Sequence, residues 1–171
     1  VSCDNLPDNG RVARAAILGL ATRIDEQLAD WIEANVSFVD TSIDRITPRT
    51  TDADRATVAA ETGFADNCPV VSEPSSSWVL CGAFPAGRPE WELAGAQFVD
   101  DLGSFERRKL WLLNGAHTLM SFAGQLRGHQ TVAQALAAPV SSGWVEQFWD
   151  AAAAHLTEPG LEVPGYRQAL R

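Results

Sequence analysis

One short segment of the chain brings together side chains able to move a proton. With Lys109 at 0° on a helical wheel, Leu113 falls near about 40°, His117 near about 80°, Leu110 near about 100° and Asn114 near about 140°. An amine, an amide and an imidazole therefore share one arc with leucines. Burying such groups on an apolar face is unfavourable unless each finds a partner, a cost met more often in a functional pocket than by accident. A desolvated lysine has its pKa lowered toward neutrality and can act as a general base. Each residue alone has a plainer explanation: His117 as a satisfied histidine of the core or rim, Asn114-Gly115 as a helix irregularity, Lys109 as a side chain that snorkels to solvent. Taken together they shift the balance, so that from spacing alone an active site and a plain helix face stand as equal alternatives. Lys109 is also the one lysine in the chain, the other basic residues all being arginines.

The elements that must position these groups follow from periodicity. After the turn-rich opening Asp4 to Gly10, the apolar positions Val12, Ala16, Ile17, Leu20, Ile24, Leu28 and Trp31 predict one long amphipathic helix from Arg11 to Ala34. Ser37 to Ile43 reads as a short strand ending before Pro48. A helix is expected over Asp52 to Thr62, capped by Thr50 or Thr51 and stopped at Gly63. Asn67 to Asp101, rich in Pro and Gly, suits extended segments and loops. Ser104 is expected to cap a second long helix reaching Arg127, followed by helices at Thr131 to Ala137, at Ser142 to Leu156 and from Pro164 onward. No repeat or long linker divides the chain, so residues 1–171 read as one structural unit, mainly α with a small β insert. Both ends read as cut.

Composition narrows the classes. The 171 residues carry 13 Lys+Arg against 22 Asp+Glu, a net charge of −9, and the only basic run is Arg107-Arg108-Lys109, which argues against a nucleic-acid partner. At 46% hydrophobic and 20% charged the chain is of ordinary globular composition. Leu110 to Leu126 lacks charged residues but holds Asn114, His117 and Gln125, and reads as a buried helix rather than a membrane span. Cys3, Cys68 and Cys81 have neither zinc spacing nor an even count, so no metal site or disulfide framework is expected. With no secretory signal in the chain, a cytoplasmic setting is expected.

The segment Lys109-Leu-Trp-Leu-Leu-Asn114-Gly-Ala-His117 resembles the K-x-x-x-x-N-x-x-H motif of the polyol-specific long-chain dehydrogenases, the mannitol dehydrogenase and fructuronate reductase family. Ser2-Cys3-Asp4-Asn5-Leu6-Pro7-Asp8-Asn9-Gly10 resembles the family's S-C-D-N-x-x-x-N-G. Thr41-Ser42-Ile43-Asp44-Arg45-Ile46-Thr47-Pro48 resembles its [ST]-x-V-D-R-I-x-P. Glu73-Pro74 through Trp78-Val79, Gly87 to Glu92, and Gln97 to Asp101 follow in family order.

The resemblance implies an enzyme with a Rossmann-like nucleotide domain and a mainly helical substrate domain. No glycine-rich dinucleotide loop occurs in the chain. It is therefore expected to be the helical C-terminal substrate domain, of the 6-phosphogluconate dehydrogenase C-terminal-like type, without its Rossmann domain. NAD or NADP would be bound mainly by the absent half, and no metal is implied. Carried over by position, Lys109 would be the general acid and base. Asn114 and Asn5 would donate hydrogen bonds to the reacting oxygen, and Asp44 and His117 would orient substrate hydroxyls. The expected substrate is a small polyol or ketose. A hexuronate such as fructuronate is the alternative, with Arg45 as its carboxylate partner. A noncatalytic helical binding module is the competing class, disfavoured by the retention of Lys109, Asn5, Asn114, Asp44 and His117 together. His129 and His155 match no motif position and read as surface or core residues.

The departures from the family pattern are local. Ser75-Ser76-Ser77 stands where an aromatic residue and a glutamine are usual, Cys81-Gly82 where an acidic pair is usual, Ile43 for Val, and Asp40 for a common Asn. None removes a proposed catalytic group; they leave substrate choice open.

Overall fold

The computed structural model describes residues 1–74 and 76–171, and these are 55% helical with one small sheet. In place of the single unit expected from the absence of a linker, the chain forms two compact units, Val1–Asp100 and Asp101–Arg171. The join is a short polar turn around Asp100 and Asp101, too brief for a composition shift to reveal.

In the first unit the predicted long helix is two, α1 at Asn9–Ile24 and α2 at Glu26–Asn35. Asp25 breaks it. Its backbone is extended, its N–H closes α1 on the Ala21 carbonyl at 2.8 Å, and its carboxylate accepts from the Gln27 N–H at 2.9 Å to open α2. The apolar periodicity runs on through this residue, which is why the break was invisible to it. Strand β1 spans Asp40–Asp44 and pairs antiparallel with β2, Ser77–Cys81, with Asp44 opposite Ser77 and Asp40 opposite Cys81. β2 pairs parallel with β3, Gln97–Phe98. Between the first two strands lies α3, Asp52–Thr62, capped as expected by Thr51 in a reciprocal pair with Asp54 and ended by Gly63. The hydrogen bonds from Thr51 hold the Asp54 carboxyl below the usual carboxylate range.

The core of this unit is small: Val39, Leu80 and Ala96, walled by Trp78, Phe84, Trp91 and Phe98. Trp78 and Trp91 lie 5.1 Å apart, and the Arg88 guanidinium sits 3.5 Å from the centre of the Phe98 ring while pairing with Glu92.

The second unit is helical. α4, Gly103–Arg108, passes without a break into a π-helical turn, Lys109–Asn114, and then into α5, Gly115–Leu126. The helix starts at Gly103, whose N–H bonds the Asp101 carboxylate at 3.0 Å; Ser104, expected as the cap, lies buried inside the first turn. α6, Val132–Ala137, is capped by Thr131; α7 runs over Pro139–Ala153 and α8 over Val163–Ala169. α7 begins three residues before the expected Ser142 because Pro139 is well placed in a first turn, where no N–H is required. Leu112, Ala116, Met120, Ala135, Val145, Trp149, Leu156 and Leu161 form one continuous core. No helix among the described residues is long and apolar enough to cross a membrane.

Candidate active site

In the first unit, Asn5 sits in an exposed turn ahead of α1, and Asp44 ends β1. What ties them to one framework is Asn9, 2% exposed. Its amide nitrogen donates to the Asp4 carbonyl at 2.7 Å and to the Thr41 carbonyl at 2.6 Å, and its amide oxygen accepts from the Thr41 N–H at 2.9 Å. The Thr41 hydroxyl in turn donates to the Ser2 carbonyl at 2.6 Å. The turn carrying Asn5 is thereby pinned to the strand carrying Asp44. Asp40, noted in the sequence only as a departure, accepts from the N–H groups of Gly10 at 2.7 Å and Arg11 at 3.2 Å, a carboxylate placed at a helix N-terminus. Gly10 is required there, since a Cβ would lie 2.7 Å from the Val39 carbonyl. Sequence reasoning gave Asn9 and Asp40 no role. The signal lay in the residue pair Asn9-Gly10, whose polar and small side chains suit a helix start seated directly on a strand.

Arg45, one residue past β1, is exposed, and its Nε donates to the Glu73 carbonyl at 3.1 Å, while the Glu73 carboxylate accepts from the Ile46 N–H at 2.9 Å. Arg45 thus braces the Glu73-Pro74 segment. Of the serine run after Pro74, Ser75 lies outside the described residues.

In the second unit, Lys109, Asn114 and His117 all lie on the α4 to α5 helix. The expectation of an apolar face is corrected in detail. The core side of the helix is formed by Leu112, Ala116 and Met120, while Leu110 is 57% exposed and Asn114 is exposed. Lys109 and His117 are half-buried at the rim of that core. The wheel misplaced them because it assumed an uninterrupted α-helix. The Gly115 N–H reaches the Leu110 carbonyl, five residues back, so the turn between Lys109 and Asn114 is wider than an α turn. The wider turn therefore reduces the separation of about 140° that an α-helix would put between Lys109 and Asn114, and His117 follows three residues on in α5.

Beside Lys109, Arg108 turns inward. Its guanidinium lies 4.2 Å from the centre of the Tyr166 ring and 5.0 Å from that of Phe105, and it donates to the Leu161 carbonyl. Burial pushes its pKa down from the usual arginine value. Among the described residues no group of three His, Cys, Asp or Glu side chains is placed to hold a metal ion. His129 and His155 flank the helical core, His155 edge-on to Trp111 at 6.5 Å.

The chain has known relatives. A family model described as the mannitol dehydrogenase Rossmann domain matches residues 1–93, and one described as the mannitol dehydrogenase C-terminal domain matches residues 101–170. The class they define is one of enzymes, whose named members are dehydrogenases and oxidoreductases. The chain belongs to the mannitol dehydrogenase family. It is 45% identical over 139 residues to the D-mannonate oxidoreductase of Escherichia coli, covering 81% of this chain and 29% of that protein. A crystal structure of D-sorbitol dehydrogenase in substrate-free form superposes with a TM-score of 0.89 at 37% identity, over 99% of this chain and 35% of that one. The Pseudomonas fluorescens mannitol 2-dehydrogenase in ternary complex with NAD and D-mannitol gives 0.76 at 41% identity, with the same coverage. The chain thus spans about a third of the length of these relatives.

The match over residues 1–93 corrects the expectation of a helical substrate domain without its Rossmann domain. That expectation rested on a missing glycine loop. The loop marks a single strand-turn-helix unit of such a domain, and a stretch without it can still belong to the domain.

Proposed function

We propose that this chain contributes the proton-transfer and substrate-orienting residues of a nicotinamide-dependent polyol and ketose oxidoreductase. The observation that carries the reading is the π-helical turn from Lys109 to Asn114, followed by His117 on α5, with Lys109 and His117 half-buried. It lies inside the match to the family's C-terminal domain. A relative of this fold is known in complex with NAD and D-mannitol, which supports both the cofactor class and the substrate class.

In this reading the Lys109 amine takes the hydroxyl proton as the alcohol is oxidised and returns it in reduction. Asn114 and Asn5 donate to the substrate oxygen as negative charge develops on it, and Asp44 and His117 fix neighbouring hydroxyls. The described residues offer no strand, glycine loop and helix start in series that would cradle a dinucleotide. The connection from β2 to its parallel neighbour β3 holds only the short 3-10 turn Trp91–Ala94. The part assigned to this chain is therefore proton transfer and orientation, with no step through the cofactor.

A sugar-acid substrate is the second reading, favoured by the 45% identity to a D-mannonate oxidoreductase. Arg45 is its candidate carboxylate partner. The test is oxidation of NADH and NADPH by the natural full-length protein against fructose, xylulose, fructuronate and tagaturonate. Turnover of the neutral ketoses, changed little by Arg45→Ala, supports the polyol reading. Turnover confined to the uronates, with KM raised about tenfold or more by Arg45→Ala, supports the second. No turnover of any of the four would contradict both.

A further inference from the structure

The closer alignment of Lys109 and Asn114 depends on a π-turn, and an isolated helix would not keep one: the α pattern is the more stable, and π-turns survive where tertiary structure holds them. The neighbouring helix α7 supplies two such contacts. The Trp149 indole, itself 2% exposed, donates from Nε1 to the Leu112 carbonyl at 2.7 Å, in the middle of the turn. An outside donor on a helical carbonyl competes with the α ladder and stabilises its displacement by one residue. One residue before Trp149, the Phe148 ring lies where a side chain at position 115 would stand, with a Cβ there 2.5 Å from the ring carbon Cζ. Gly115 is thus the residue at which α7 seats against the end of the turn. The Thr118 hydroxyl also donates to the Asn114 carbonyl at 3.0 Å.

We infer that Trp149 and the Phe148–Gly115 contact are positioning residues. They hold the Lys109–Asn114 segment in π register and so bring the amine and the amide nearer to one face. Neither Lys109, Asn114 nor His117 carries this function; it comes from the two contacts that α7 makes with the turn. The inference rests on the proton-transfer reading for its purpose, but its geometry is testable without substrate or cofactor.

Two histidines on one helix face chelate a divalent metal, whereas two on different faces do not. In a His117→Gln background, Lys109→His with Asn114→His is expected to bind Ni²⁺ within about tenfold of a control pair, Ser121→His with Gln125→His, four apart on α5. Isothermal titration calorimetry with Ni²⁺ alone reads both. An affinity for the 109/114 pair no better than that of Lys109→His by itself would overturn the inference, because it would mean the segment is α-helical. Adding Trp149→Phe, which keeps the ring and removes the donor, is expected to weaken the 109/114 site about tenfold or more and to spare the 121/125 site. Equal affinity with and without the indole N–H would refute the role of Trp149. The 121/125 site reports that the helix is intact; where Trp149→Phe loses it, Phe148→Leu is measured in its place with the same two outcomes. Failure of the Ni²⁺ comparison leaves the proton-transfer reading standing, and failure of the assay above leaves the register inference standing.

Discussion

The two units hold their motif residues by different means. In the second, Lys109, Asn114 and His117 ride on a helix whose inner side joins a continuous apolar core from Leu112 to Leu161. In the first, Asn5 and Asp44 are set by a polar network through Asn9, Thr41 and Asp40, beside a three-residue core with an aromatic wall. The helices of the first unit add little to that core. Along α1 and α2 only Asn9, Gly10 and Ala21 are buried, and Leu20, Ile24 and Trp31 remain more than half exposed. Placement by packing tolerates polar change and fails on loss of volume. Placement by hydrogen bonds does the reverse, because a single unpaired buried amide costs more than a lost methylene.

Three perturbations sharpen that contrast. The largest effect is expected from Leu112→Ala, which empties a fully buried site in the middle of the π-turn. The second unit should lose about 2–5 kcal/mol of stability, read by hydrogen exchange of the α5 and α7 amides. Asn9→Ala should cost about 1–3 kcal/mol in the first unit, seen as faster exchange of the Thr41 and Gly10 amides, because it strands the Thr41 N–H and carbonyl together. If Asn9→Ala left those amides protected, the polar account of the first unit would fail.

The smallest effect is electrostatic. Glu146 on α7 accepts from Arg171 at 2.7 and 2.8 Å and from Arg167 at 2.9 Å, and these partners hold its carboxyl below the usual glutamate range. A group whose pKa is lower folded than unfolded contributes stability above its unfolded value and loses it as pH falls through the folded one. The Tm should therefore drop on acidification below about pH 4. Glu146→Gln should flatten that dependence slightly, since the site is partly exposed and screened.

Much of this was legible from residue types. The Thr51 cap with Asp54, the stop at Gly63, and a helix running through Lys109 to the region of Arg127 all follow from local chemistry that the fold leaves unchanged. Two features were hidden for one reason: a periodicity of 3.6 has no place for a residue that interrupts it. Asp25 closes one helix and opens another within an unbroken apolar pattern, and the π-turn shifts every wheel angle after Lys109. Asn114-Gly115 carries the helix irregularity its residue types allowed, for the π-turn ends there. Asn9 went unassigned because its partners lie 32 residues away on β1, a separation that no local pattern encodes. The Rossmann match of residues 1–93 was missed because one loop was allowed to stand for a whole domain.

The central claim is that the Lys109 amine carries the proton. Its most direct test is the kcat of Lys109→Met in the natural full-length protein, on whichever substrate of the panel is turned over. The account predicts kcat lower by about 10²–10⁴-fold with KM changed little. A Lys109→Met enzyme with kcat within about threefold of the unmodified one would contradict it.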